Sequence, residues 1–284
     1  WTSRADTLAV MTLDRRQQQM KLFFFDVNTG GHRQVMSESS KTWIDVYDFY
    51  AGIQDMMTFP EGTHEFFWIS DRDGQQHLYR YDYSGKLVNQ VTHGAWNVTR
   101  IEGIEPKKQL VYYSSAEVSP LQRQLYEIHF DGSSPRRITK DEGTHAINMS
   151  PGTQYFIDSW SSVKQPRQVE LWTSTGDKLR TLEGNPQTTQ WLATHAYAPV
   201  ELFNFTTSDS VHIDASVVKP IPFDPSRKYP VVFTIYGGPG SQAVYDRFNS
   251  NGESQWLAQQ GYIVVDVNNR AGNHYSRAFI KGSY

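Results

Sequence analysis

The chain has 284 residues, no cysteine and a formal net charge of −3, with 38% hydrophobic and 14% aromatic residues. That length holds one large or two ordinary domains with real cores, and the composition excludes a disordered chain. Disulfide scaffolds, thiol catalysis and cysteine zinc sites are excluded, a basic footprint for nucleic acid is missing, and no apolar run approaches the ~20 residues that span a bilayer.

The chain opens on Trp1 in a strand-like setting, with neither a basic n-region nor an apolar h-region, which predicts a piece of something longer. Four segments then repeat one design: Thr7 to Gly31, Glu65 to Gly94, Leu110 to Gly143 and Tyr155 to Gly184. Each reads as an aromatic or aliphatic strand, a polar loop, a second strand, a glycine turn and a third strand. The second strands align as Leu22–Asp26, Leu78–Asp82, Leu125–Asp131 and Glu170–Thr173. Their turns align as Asn28-Thr29-Gly30, Tyr83-Ser84-Gly85, Asp131-Gly132-Ser133 and Thr175-Gly176-Asp177. A repeat of roughly 45 to 55 residues is the size of one four-stranded propeller blade. A sandwich has no reason to repeat its internal order four times, so the fold class is mainly β, with blades of a partial β-propeller.

The pattern changes near residues 195 to 200, and the predicted units are 1–197 and 198–284. Glu201–Thr207 and Val211–Val218 form a hairpin around Ser208-Asp209-Ser210. Lys219–Pro225 is a proline-rich linker that neither a helix nor a central strand tolerates. Tyr229–Tyr236 reads as a buried strand breaking into Gly237-Gly238-Pro239-Gly240. A helix over Glu253–Gln260 and a second buried strand, Tyr262–Val267, follow. A helix between two buried strands predicts the start of an α/β layer.

Tyr236 is the candidate catalytic residue. A phenol at a strand end, beside a turn too small to block it, can donate to an oxyanion as a carbonyl becomes tetrahedral. The competing reading is a strand-end tyrosine covering a sheet edge. The same glycines do not match either phosphate-loop spacing, and Pro239 has no amide to offer. Asp71-Arg72-Asp73-Gly74 opens like a calcium loop but lacks the later ligands, so a tight turn between strands is expected. No Gly-x-Ser-x-Gly elbow occurs.

Tyr236-Gly237-Gly238-Pro239, continuing through Ser241-Gln242, together with the repeats upstream and Asn268-Asn269-Arg270 downstream, resembles the prolyl oligopeptidase family of serine peptidases, most closely its dipeptidyl peptidase IV branch. The resemblance implies later propeller blades followed by the opening of an α/β-hydrolase domain, cut before the nucleophile. It implies a serine exopeptidase that releases amino-terminal dipeptides with proline or alanine second, with Tyr236 in the oxyanion hole. The family's serine, aspartate and histidine, in that order, lie beyond the Tyr236 motif, and its acidic pair for the substrate amino terminus lies earlier. The fragment itself is therefore expected to be inactive. None of the nine histidines is the catalytic one by that order; His195, His212 and His274 are expected to be structural.

Relatives place an arginine–phenylalanine pair near the segment Trp43–Tyr50, where this chain has tyrosines and aspartates, and a core-and-loop role is expected for it. Arg270-Ala271-Gly272 stands where relatives show Arg-Gly, which is tolerated unless Ala271 needs a positive φ. No cofactor or metal is implied. A peptide substrate is, and the likeness allows a homodimeric parent. A periplasmic or cell-envelope setting is favoured over a cytoplasmic one. The alternatives are an acylaminoacyl peptidase or oligopeptidase of the same family, or a propeller that only binds partners, with a degenerate hydrolase tail.

Overall fold

The computed structural model describes residues 1–45, 56–249, 251–273 and 275–283. Four antiparallel sheets follow one another along the chain. The first is β1 (Thr7–Leu13), β2 (Gln19–Asp26) and β3 (His32–Ser39). The second is β4 (Met57–Thr58), β5 (Glu65–Ser70), β6 (His77–Asp82) and β7 (Leu87–Gln90). The third is β8 (Val98–Glu105), β9 (Leu110–Ser115), β10 (Gln124–His129) and β11 (Arg136–Arg137). The fourth is β12 (Thr144–Met149), β13 (Tyr155–Ser162), β14 (Gln165–Thr173) and β15 (Lys178–Glu183). Strand order within each sheet is sequence order. The four aligned second strands are β2, β6, β10 and β14, the next-to-last strand of every sheet. The first strands β4, β8 and β12 fall in the intervals between the predicted segments.

The sheets stack by one repeated joint. In the turn after β6, Gly85 has φ +93°, and a Cβ there would meet Val35 O at 1.8 Å. Gly132, after β10, faces Val91 O at 2.9 Å in the same way, and Gly176, after β14, faces Ile138. Each turn glycine thus rests on the outer edge of the preceding sheet. A side chain from that edge answers it: Arg33 donates to Tyr83 O, Asn89 Nδ2 to Phe130 O at 3.0 Å, and Arg136 Nη1 to Thr175 O at 3.0 Å. A second polar latch also repeats. His77 meets Thr92 Oγ1, which accepts from Leu78 N, while Gln124 Oε1 accepts from Thr139 Oγ1, which in turn accepts from Leu125 N. Equivalent contacts at equivalent positions are the mark of propeller blades. Their core is continuous from Met20 and Leu22 through Phe66, Phe67 and Trp68 to Tyr113 and Phe130. Tyr112, Leu125, Ile147 and Phe156 carry it between the third and fourth sheets.

Helix α1 (Pro186–Thr194), which the sequence did not announce, buries none of its residues. Beyond it lies a fifth sheet. Its strands are β16 (Val200–Thr206), β17 (His212–Val218), β18 (Val231–Thr234) and β19 (Ile263–Val267), in the order β16-β17-β19-β18. The hairpin is as expected, and helix α2 (Gly252–Gln259) is capped by Asn251, whose side chain accepts from Glu253 N and Ser254 N.

Two expectations need correction here. No α/β-hydrolase layer is formed within the described residues: only β18 and β19 run parallel, the hairpin makes the rest of the sheet antiparallel, and the chain is mainly β. Nor is β18 buried. Val231 is 45% and Phe233 67% exposed, because β18 is the sheet's edge and its apolar faces meet no covering layer among the described residues. A small separate cluster, Ala198, Val218, Ala258 and Val264, forms the core here.

Two later segments lie across one end of the blades. Asp246 N donates to Leu121 O at 2.8 Å, Val163 N to Asp246 Oδ1 at 3.0 Å and Phe248 N to Ser161 Oγ at 3.1 Å. Helix α3 (Arg277–Ile280) begins with Arg277 N donating to Gly74 O at 2.8 Å. Asp71–Gly74 is indeed a turn between β5 and β6, closed by Gly74 N to Asp71 O. The Asp71 carboxylate, 3.6 Å from Arg277 Nε and 3.5 Å from Lys281 Nζ, faces these cations.

Candidate functional site

Tyr236 stands two residues beyond the end of β18 and is 65% exposed, with no hydrogen bond to its hydroxyl among the described residues. Its ring folds over Gly238, where a Cβ would lie 3.0 Å from the ring edge. Gly237 has φ +77° and open space around it. A side chain at 238 would crowd the ring, and its absence lets the phenol lie there.

The backbone beneath the phenol is held by the end of β19. Asn269 Oδ1 accepts from Gly237 N at 3.1 Å, and its Nδ2 donates to Gly238 O at 3.2 Å. Gly240 N donates to Ala271 O at 2.8 Å and Asn273 N to Ser241 O at 3.3 Å. Asn268, 1% exposed, accepts on Oδ1 from Ala243 N at 2.9 Å and Val244 N at 2.8 Å. Behind it, Tyr275 donates to Asp214 Oδ2 at 2.6 Å, and burial with the adjoining carboxylate pushes the Tyr275 hydroxyl far up. Ala271 is fully buried with φ +68°, so the departure at Arg270-Ala271-Gly272 does cost backbone strain. Arg270 extends outward to Asp209 on the tip between β16 and β17, at 2.5 Å; hydrogen bonds from Arg270 and Thr207 hold that carboxyl down at about 2.

The predicted site residue and its motif are therefore at one strand end. Asn268 and Asn269, which sequence reasoning quoted only as a strand end, turn out to hold the motif in place. Nothing in a single sequence marks an asparagine as a clamp for a loop some 30 residues earlier. His195 lies apart, stacked on Trp191 at 4.3 Å, with Nδ1 donating to Trp191 O. His212 is half-paired with Asp214 at 3.7 Å, and His274 lies outside the described residues, as do Val46–Tyr50. No group of three or more metal-binding side chains occurs among the described residues. No helix among them is long and apolar enough to cross a membrane.

Comparison with known proteins follows the same lines. Residues 1–167 match the family described as the dipeptidyl peptidase IV (DPP IV) N-terminal region. A probable dipeptidyl-aminopeptidase B of Emericella nidulans is 30% identical over 98% of this chain and 32% of its own length. A probable dipeptidyl peptidase 4 of the same organism is 27% identical over 98% of this chain and 37% of its own. The crystal structure of Porphyromonas gingivalis dipeptidyl peptidase 4 superimposes with a TM-score of 0.93 at 33% identity, covering 100% of this chain and 39% of that one. The chain spans about a third of the length of the curated relatives it matches. With the family matched over more than half of its residues, and with blades stacked as described, the chain belongs to the dipeptidyl peptidase IV branch of the prolyl oligopeptidase family.

Proposed function

We propose that the whole protein is a serine exopeptidase that releases amino-terminal dipeptides, with proline or alanine second, through an acyl-enzyme, and that Tyr236 is an oxyanion donor in that reaction. The observation that carries this reading is the uncovered phenol above a glycine turn clamped by Asn269. A strand-end phenol that its own turn leaves uncovered can donate to charge that appears only in the transition state. The relatives' names supply the substrate class. The nucleophile, its histidine base, the orienting aspartate and the acidic pair for the substrate amino terminus are supplied by residues outside 1–284. The reaction requires no cofactor. On this reading residues 1–197 are a propeller unit, and 198–284 belong to a second unit that the rest of the peptidase completes. A homodimeric parent is part of the same reading, and its sedimentation checks it.

In the full-length protein, Tyr236→Phe lowers kcat by roughly 10²-fold, the scale of one lost oxyanion donor, and leaves KM nearly unchanged. Unaltered turnover would return Tyr236 to covering a sheet edge. The 284-residue chain by itself neither cleaves a Gly-Pro chromogenic amide nor takes up a serine-directed fluorophosphonate. Stoichiometric labelling would place the nucleophile within these residues instead.

A further inference from the structure

Six residues after Tyr236 its loop reaches the propeller. Gln242 is 8% exposed, and its Oε1 accepts from Arg123 Nη2 at 2.9 Å. Gln242 Nε2 donates to Pro120 O and Val244 O, both at 2.9 Å. Arg123, also 8% exposed, sits at the start of β10, with Nη1 donating to Pro120 O at 3.0 Å and Gln122 O at 2.5 Å. Its guanidinium lies 5.4 Å from the Tyr245 ring centroid. Gln122 Nε2 donates to Asp246 Oδ2 at 2.8 Å and extends the same contact.

The segment from 237 to 244 is thus gripped from two sides, by Asn268, Asn269 and Ala271 at the end of β19 and by Arg123 from the third blade. Such a grip matters because Gly237, Gly238 and Gly240 give the loop little rigidity of its own. Burying a guanidinium is costly unless its fork is met by well-placed acceptors, and its rigid geometry then fixes what it holds. A surface clasp between two units has no need of so buried a charge.

We propose that Arg123 is a positioning residue for the peptidase reaction: through Gln242 it sets the place of the Tyr236 hydroxyl, so that the third blade takes part in the chemistry. This rests on the oxyanion reading of Tyr236. The test is a double-mutant cycle in the full-length protein with a Gly-Pro amide. Arg123→Met lowers kcat by about tenfold or more at constant KM, the scale of a sub-ångström to one-ångström misplacement. Arg123→Lys recovers part of the loss, and Arg123→Met adds nothing further in a Tyr236→Phe background.

Losses that multiply in the double variant would show that Arg123 acts independently of Tyr236, and the proposal would fall while the oxyanion reading stood. If Tyr236→Phe alone leaves kcat intact, the oxyanion reading fails, and this proposal with it. Should Arg123→Met not fold, Gln242→Leu carries the same cycle. Amide hydrogen exchange in the full-length protein supplies a readout free of activity: residues 237–243 exchange at least tenfold faster in Arg123→Met or Gln242→Leu, and unchanged protection there overturns the grip itself.

Discussion

The second blade and the fifth sheet are both made of short apolar strands, yet they treat them in opposite ways. Phe66, Phe67 and Trp68 on β5 are fully buried between neighbouring sheets, whereas Phe233 on β18 is 67% exposed. An apolar run in a sequence says that a face is suited to burial; whether it is buried depends on what else the chain folds against it. In the blades the neighbour is the next copy of the same pattern. In the fifth sheet no such neighbour covers β18 among the described residues.

That contrast can be broken most directly at its two ends. Phe66→Ala lowers the unfolding free energy of the chain by about 3–5 kcal/mol, whereas Phe233→Ala changes it by less than about 0.5 kcal/mol. Urea denaturation followed by fluorescence measures both, and comparable losses would erase the distinction. Glycines sharpen it. Gly85→Ala places a methyl against Val35 O at an unfavourable φ and costs roughly 2 kcal/mol or more. Gly237→Ala, in open space, carries only the conformational part, about 1 kcal/mol. Equal melting shifts for the two would mean that the turn does not bear on the preceding blade.

Ala271→Gly runs the other way. With φ +68° in a fully buried turn, the substitution raises stability by about 0.5–1 kcal/mol. A lower melting temperature would show that the turn tolerates the alanine without strain.

The smallest effect is in pH dependence, where the two regions differ in sign. Burial raises the carboxyl of Asp158, which meets His145 Nδ1 at 2.7 Å in the fourth blade. Its folded form holds a proton more tightly than the unfolded chain does. Its contribution is therefore fully present below the ordinary value of 3.8 and is lost as pH rises through the raised folded value. Asp209, exposed at a hairpin tip, is held at about 2, so its contribution is present above 3.8 and lost as pH falls through about 2. Carboxyl carbon shifts followed by NMR report both midpoints; Asp158 titrating below 3.8, or Asp209 above it, would contradict the assignment.

Much of the blade architecture was legible because it repeats: β2, β6, β10 and β14 share an apolar pattern and a glycine turn that only a few backbone geometries satisfy. The first strands escaped notice for physical reasons. β4 is two residues long, and β8, Val98 to Glu105, mixes charge and glycine into its alternation. Helix α1 escaped because it buries none of its residues and only Thr188 and Leu192 are half-covered, so no periodic apolar stripe was needed. At the candidate site the turn chemistry around Tyr236 was readable from residue types. Its anchors were not, since Asn269, Asn268 and Arg123 act through hydrogen bonds across 24 to 119 residues of sequence, and pattern has no purchase there.

The repeated joint between blades also gives the array a direction. Each turn glycine leans on the edge before it, from Gly85 on Val35 to Gly132 on Val91 and Gly176 on Ile138. A structure built of such pairwise joints behaves as a linear lattice, in which the state of one unit is felt by its neighbours and fades beyond them. Loss of order should therefore travel blade by blade as a moving front rather than strike the whole array at once, and a blade that loses one of its joints passes the disturbance first to the neighbour that leaned on it.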